Sequence, residues 1–298
     1  MKKLLLLVSC LAVYLSVQIN VQAADDKAFF WQVSSDKTTV YLMGSIHFAD
    51  NSFYPLRSEI EDAYNRSKFL VVELDIGKVD PVTYNQLIAQ KGTYTDGKTI
   101  EDVISDETLL QLRQELRDLH IAYDAVKNYK PGMLVLTLSA AQVMQMGFEP
   151  ELGIDMHFLA KAAQTDKQVI ELETLEQQIN LFLNIPDGEL LLKESLYSLD
   201  ESQSLMTDMV RFWKQGDEVA MNELLFEDAL NDYPAFAGIY DPLFYDRNQQ
   251  MALKIEQMLK HKTEAETYYF VVVGSGHLIG DRGVVRKLEE KGYKVKRL

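Results

Sequence analysis

Cysteine is almost absent from this chain: among 298 residues there is one, Cys10. It lies in an N-terminal stretch that reads as a secretory signal. Lys2 and Lys3 supply the positive start, Leu4 to Val17 the apolar core, and Val21-Gln22-Ala23 the small-x-small cleavage site. The apolar run is shorter than the roughly 20 residues a membrane-spanning helix needs. Residues 1–23 are therefore read as a signal peptide and 24–298 as the mature, exported chain, periplasmic or extracellular, without a transmembrane anchor. Leu7-Val8-Ser9-Cys10 also spells a lipoprotein cleavage box, but hydrophobic chain follows it instead of a polar tether. With the signal removed no thiol remains, which excludes disulfides, thiolate nucleophiles and cysteine-ligated metals together. Any metal would then rely on imidazole and carboxylate, a donor set that suits zinc, manganese, cobalt or iron.

Positive charge is scarce too. Lys and Arg number 30 against 45 Asp and Glu, and the formal charge of −15 becomes −17 once Lys2 and Lys3 are removed. No basic run or stripe interrupts this acidity, which makes nucleic acid and anionic membrane surfaces poor candidates as partners. Linkers rich in Pro, Gly or Ser are lacking, as are repeats at solenoid periods. A single domain over 24–298 is the simplest organisation, and its 47% hydrophobic content is enough for a sizeable core.

What is present is strand-like chain at both ends with helical patterning between. Phe30–Val33 and Thr38–Met43 are β-branched and aromatic, joined by the turn signal Ser34-Ser35-Asp36-Lys37. Pro55 is expected to open a helix that presents Leu56, Ile60, Ala63 and Tyr64 on one face. Phe69–Leu74 reads as a buried strand, and Gln168–Leu172 as a short one. The chain from Thr99 to about Ala163 is helical with breaks, and Leu175–Phe182, Leu190–Trp213, Asp217–Leu230 and Pro242–Leu259 continue that reading. Tyr268–Val273 is a strand, Val284–Lys291 a helix and Tyr293–Lys296 a last strand. The fold class is α/β: a central mixed sheet built from the N- and C-terminal parts, with a helical cap inserted between them.

Two of these strands end alike. Thr39–Met43 runs into Gly44-Ser45-Ile46-His47, and Val271–Val273 into Gly274-Ser275-Gly276-His277. Glycine permits a sharp turn or a close approach, and each histidine is presented at a carboxyl end, the edge where α/β sheets bind ligands. Val71-Val72-Glu73 and Val169-Ile170-Glu171-Leu172-Glu173 also end in carboxylates. Two imidazoles and one carboxylate leave positions open for water and substrate, as a catalytic site requires. The competing reading, that the histidines only hydrogen-bond in the core, is weakened by the repetition after two separate strands. Glu171 and Glu173 alternate onto one side of a strand, as base or outer ligand, or else introduce the helix at Leu175. Asp155 either orients a histidine or caps its helix. His120, His157 and His261 are read as structural or solvated. Gly274-Ser275-Gly276 with Gly280 is no dinucleotide fingerprint, because its spacing is wrong and only 18 residues follow.

Taken with Val72-Glu73-Leu74, Lys130-Pro131, Gly153-Ile154-Asp155, Leu172-Glu173-Thr174 with Gln177, and Arg247-Asn248, the two Gly-x-x-His ends resemble the TraB/GumN/Tiki family over nearly the whole mature chain. One departure is Gly132 after Lys130-Pro131, where similar proteins commonly carry an aromatic. The resemblance implies a metal-dependent hydrolase or protease of the erythromycin esterase and ChaN-like fold, with His47, His277 and Glu73 at its centre. It also implies a place for Arg247 near the site, on developing negative charge; by sequence context alone Arg247 is a surface partner of Asp246. The resulting expectation is a hydrolase of peptide or ester bonds using Mn, Co or Zn. His47, His277 and Glu73 serve as ligands, and Glu73, Glu173 and Arg247 act in the chemistry. The alternative is a protein that sequesters a peptide or haem-like ligand in the same cleft, and a third reading is an accessory protein with relic histidines.

Overall fold

The computed structural model describes residues 26–200, 202–261 and 264–298. The signal peptide, the lipoprotein box and Cys10 lie outside the described residues. Six strands form one mixed sheet in the order β4-β3-β5-β2-β1-β6. They are β1 (Phe30–Ser34), β2 (Thr38–Ser45), β3 (Phe69–Val72), β4 (Gln168–Glu171), β5 (Thr267–Gly274) and β6 (Lys294–Arg297). The expected hairpin pairs β1 with β2, and β6 adds antiparallel to β1. β4, β3, β5 and β2 are mutually parallel, so their carboxyl ends share one edge. Their register sets Ser45 beside Gly274, and Val72 beside both Val272 and Glu171.

β2, β3 and β5 read as nearly unbroken apolar runs because both faces of the parallel centre are covered by helices. Tyr64, Phe158 and Phe270, each at most 1% exposed, meet on one face with ring centroids 4.7–5.6 Å apart. Burying each such side chain contributes about 1.5–3 kcal/mol. Trp213 is fully buried, and its indole N–H donates to the Gly44 carbonyl at 2.8 Å, satisfying a buried acceptor at the end of β2.

The helices between β3 and β5 enclose a second apolar cluster, with Ile100, Leu112, Leu134, Leu138, Leu192 and Phe236 among its members. This is the expected helical cap. Three local readings change. The helix after Pro55 starts at Ser58, and Pro55 follows a cis peptide bond instead of occupying the first turn. The Leu190–Trp213 segment is two helices, Gly188–Asp200 and Ser202–Gln215. Pro81–Lys91, unassigned by the periodicity, is a helix capped by Asp80; none of its residues is buried, so it has no apolar stripe to detect. Gly132 proves to be a packing requirement, since a Cβ there would lie 2.0 Å from the Phe182 carbonyl oxygen.

Candidate functional site

The shared carboxyl edge gathers the strand-end residues. A Cβ placed on Gly274 would stand 3.4 Å from Glu73 Oε1, 3.4 Å from His47 Nε2 and 3.5 Å from His277 Cδ2. Two histidines and one glutamate from three strands thus surround one point. The pairing of β3 with β4 continues past the strands, because Leu172 N–H donates to the Val72 carbonyl and Glu173 N–H to the Glu73 carbonyl, each at 2.8 Å. Glu73 and Glu173 consequently stand side by side.

Arg247 bridges them. Its Nη2 donates to Glu73 Oε2 at 2.6 Å and to Glu173 Oε2 at 2.7 Å, and Nε donates to Glu173 Oε1 at 2.7 Å. The guanidinium fork matches the carboxylate in the bidentate geometry that lysine cannot reproduce. Asp246, the partner expected from sequence, is exposed, and Arg247 pairs with Glu73 and Glu173 instead. Arg247 is carried here by a π-helical turn, Asp241–Tyr245, that runs straight into the Asp246–Lys260 helix; Nη1 donates back to the Leu243 carbonyl at 2.9 Å. Gln178 Nε2 completes the group at 3.1 Å from Glu173 Oε2. Gln177, the glutamine matched in sequence, instead closes a capping box with Thr174.

Both imidazoles are held through Nδ1. Asn248, fully buried, places Oδ1 2.6 Å from His277 Nδ1, and its own Nδ2 donates to the Arg282 carbonyl at 3.0 Å. That second bond fixes the amide orientation, so Oδ1 accepts and Nδ1 of His277 carries the proton. Burial holds the His277 pKa down at about 4, so the ring is neutral and Nε2 offers its lone pair. His47 Nδ1 meets Asp155 Oδ2 at 3.2 Å, and Ser45 Oγ donates to Asp155 Oδ1 at 2.8 Å. Asp155 thus spends its two oxygens on Ser45 and His47, the geometry of a residue that orients a histidine. Its carboxylate raises His47 to about 9, with Glu73 adding to the effect against partial desolvation. The His47 ring is 53% exposed, whereas those of Glu73 and His277 are 9% and 5% exposed. Burial would push Glu73 up, but the His277, His47 and Arg247 groups and the Gly274 N–H bring it down to about 2.

Glycine at 153 permits this arrangement: a Cβ there would sit 2.4 Å from the His47 carbonyl oxygen, so the loop carrying His47 can lie directly on the helix that carries Asp155. Glu171 is exposed and accepts from the Asp75 N–H at 2.8 Å. His157 pairs with Glu61 and packs between Tyr54 and Phe158, while His120 and His261 lie on the surface. Asn248 and Gln178 are the contributors that sequence reading gave no role. Asn248 was visible only as the residue after Arg247; on a helix the two point about 100° apart, which sends one to the glutamates and the other to His277.

Among the described residues, no group of three or more His, Cys, Asp or Glu side chains is assembled as a metal site. Both Glu73 oxygens are engaged: Oε1 accepts from the Gly274 N–H at 2.7 Å and Oε2 from Arg247, and His277 Nε2 is 3.9 Å from Oε1. The donors themselves fit a divalent ion. His277 Nε2 stands 3.9 Å from Glu73 Oε1, and His47 Nε2 lines the same Gly274 position. His47, held protonated near neutral pH by Asp155, would release its proton on binding, and each Nδ1 is held by an acceptor of the kind that fixes ligand tautomers.

The match to known proteins extends over the same chain. Residues 29–297 match the TraB/PrgY/gumN family. An uncharacterized Escherichia coli protein, YbaP, is 26% identical over 249 residues, 83% of this chain and 87% of its own length. Metalloprotease TIKI2 of Xenopus tropicalis is 22% identical over 91% of this chain and 60% of its own length, and human metalloprotease TIKI1 is 18% identical over 93% and 63%. This chain spans less than two thirds of those two metalloproteases. No solved structure matches. Among the described residues no helix is long and apolar enough to cross a membrane. With a match that runs from residue 29 to residue 297 and takes in both strand-end histidines and both glutamates, the chain belongs to the TraB/PrgY/gumN family.

Proposed function

We propose that this protein is a metal-dependent hydrolase of peptide or ester bonds, acting outside the cytoplasm. The observation that carries the proposal is the ring of His47 Nε2, Glu73 Oε1 and His277 about the Gly274 position, with each histidine steadied through Nδ1. In this reading His47, His277 and Glu73 would hold Mn, Co or Zn. When bound, such an ion supplies Lewis acidity and an acidified water near neutral pH. Asp155 and Asn248 keep both imidazoles aimed at one point. Arg247 stabilises negative charge that develops on the substrate carbonyl oxygen. Glu173 positions Arg247, and it is the carboxylate left to accept a proton once Glu73 serves the ion. The name metalloprotease borne by two relatives favours peptide bonds.

Metal analysis of the purified mature protein, coupled to hydrolysis of a peptide panel, tests this reading. One equivalent of a divalent ion and metal-dependent cleavage are expected, with both lost in His47→Ala, His277→Ala and Glu73→Gln. A Glu73→Gln variant that retains wild-type metal content and rate would overturn it. Export rests on Lys2, Lys3 and the run to Ala23, and the exported chain should begin near Ala24 by N-terminal sequencing. An acylated Cys10 at the N-terminus would refute signal-peptidase cleavage there.

A further inference from the structure

A separate cavity lies in the helical cap. It holds about 580 Å³, within the range of roughly 300–1,000 Å³ usual for small-molecule sites. Among the described residues, none lines both it and the cavity bordered by His47, Glu73 and Arg247. The Asp106–Asp118 helix contributes Glu107, Gln111, Gln114 and Glu115, whose i, i+4, i+7, i+8 spacing puts them on one face. The Gly188–Asp200 helix brings Tyr197, and the chain entering the Pro234–Phe236 turn brings Asp232 and Tyr233, followed by Phe236. These rings form a corner. Tyr197 and Tyr233 have centroids 5.0 Å apart with planes at 68°, while Phe236 lies 5.2 Å from Tyr233 and closer to parallel, at 28°. Phe236 is buried and anchors the group, whereas Tyr233 is 49% exposed beside the cavity. The Tyr197 hydroxyl donates to Asp232 Oδ2 at 2.7 Å, which draws the phenol toward phenolate character and enriches its ring in electrons. Charge on the walls is one-sided. Glu107, Glu115 and Asp232 face a single cation, Lys193, whose Nζ lies 3.2 Å from Glu189 Oε1, a carboxylate outside the lining.

We infer that this cavity binds an organic ammonium ion, a positive nitrogen carrying small alkyl groups as in choline. Ring faces carry the negative lobe of the aromatic quadrupole, so a cation set in the corner is attracted by Tyr197 and Tyr233 together. Its alkyl groups leave water against Leu190, Leu196 and Phe236, and the carboxylates supply counter-charge at longer range. Other ligand classes leave part of the cavity unused. An anion would meet the carboxylates, and a neutral apolar molecule would take their water without replacing it. A bare metal ion would make no use of the rings. None of the strand-end residues takes part, so the cavity keeps its ligand whether or not the chain hydrolyses anything.

Isothermal titration calorimetry of the full mature protein, with metal chelated, compares choline with dimethylbutanol, its isostere with carbon in place of the quaternary nitrogen. Choline should bind about tenfold more tightly, the size expected for a partly desolvated cation on aromatic faces. Tyr233→Ala should weaken choline about tenfold, and Tyr233→Phe, which keeps the ring, should stay within about twofold of wild type. Asp232→Asn should weaken it about threefold, as the loss of one exposed charge does. That variant keeps the volume, so the charge is tested even where Tyr233→Ala disturbs the cap. Equal binding of choline and its neutral isostere, or choline binding untouched by Tyr233→Ala and Asp232→Asn, overturns the assignment. So does potassium that competes with choline at equal concentration, since an acidic surface alone would then explain the binding. Phosphatidylcholine vesicles separate the sources of the cation. Retention of the protein on them, reversed by choline, identifies a lipid headgroup; choline binding without retention identifies a free ion, and both uphold the site.

Discussion

Replacing Arg247 with Met should destabilise the fold by about 3–5 kcal/mol, because it strips the shared counter-charge from two buried carboxylates. The side chains of Arg247, Glu73 and Glu173 are 15%, 9% and 11% exposed, so water can compensate for little of the loss. Three charge-assisted bonds of 2.6–2.7 Å disappear together. Each is worth about 1.5–3 kcal/mol, but they share one guanidinium and do not add. Arg247→Lys keeps the charge without the fork and should lose less, about 1.5–3 kcal/mol. Adding Glu173→Gln to Arg247→Met removes one of the two stranded charges and should recover roughly 1 kcal/mol. Urea unfolding at pH 7, followed by tryptophan fluorescence and far-ultraviolet circular dichroism, measures all three. Trp213, buried against Gly44 at the end of β2, reports the sheet core. Chelator must be present throughout, since a divalent ion beside Glu73 would replace the missing charge. If Arg247→Met falls within 0.5 kcal/mol of wild type, or the double variant is no more stable than the single, the bridged triad does not hold the site together.

Asn248→Leu should lower metal affinity about 10–100-fold by isothermal titration calorimetry, since His277 loses the acceptor that holds its Nδ1–H; Asn248→Asp, which still accepts there, should retain more affinity than Leu. Gly132→Ala places a Cβ 2.0 Å from the Phe182 carbonyl oxygen and should cost about 1–3 kcal/mol or more by thermal unfolding, in contrast to Gly97→Ala, which meets nothing. Gly97 carries a φ of +84°, so its own loss is strain alone. Glu189 is held at about 2 by the Ser105 hydroxyl first, then by the Ser105 N–H, Thr108 and Lys193, against opposing burial. A carboxylate lowered this way stabilises the fold above its unfolded value of about 4.5, and the contribution is lost as pH falls toward 2. Glu189→Gln should therefore narrow the stability difference from wild type in acid unfolding between pH 4.5 and 2, and curves that stay parallel there would exclude the linkage.

The sequence alone was sufficient for the α/β class, the six strands and the identity of the strand-end groups. These follow from one-dimensional signals: unbroken β-branched runs mark buried parallel strands, and a glycine followed by histidine marks an exit at a carboxyl edge. Which strands adjoin was not written there. His47 and His277 come together because β2 pairs in parallel with β5, and Glu73 and Glu173 stand abreast because β3 pairs with β4, both long-range contacts. Arg247 shows the limit best. Its neighbour in sequence is Asp246, yet a π-helical turn and the Asp246–Lys260 helix carry it to two glutamates more than 70 positions away. Asn248 and Gln178 gave no signal because an uncharged amide within a helix looks like any solvated residue until the tertiary fold sets a histidine or a carboxylate against it. Spacing along a chain reports the period of its own element; only packing between elements decides which side chains face one another.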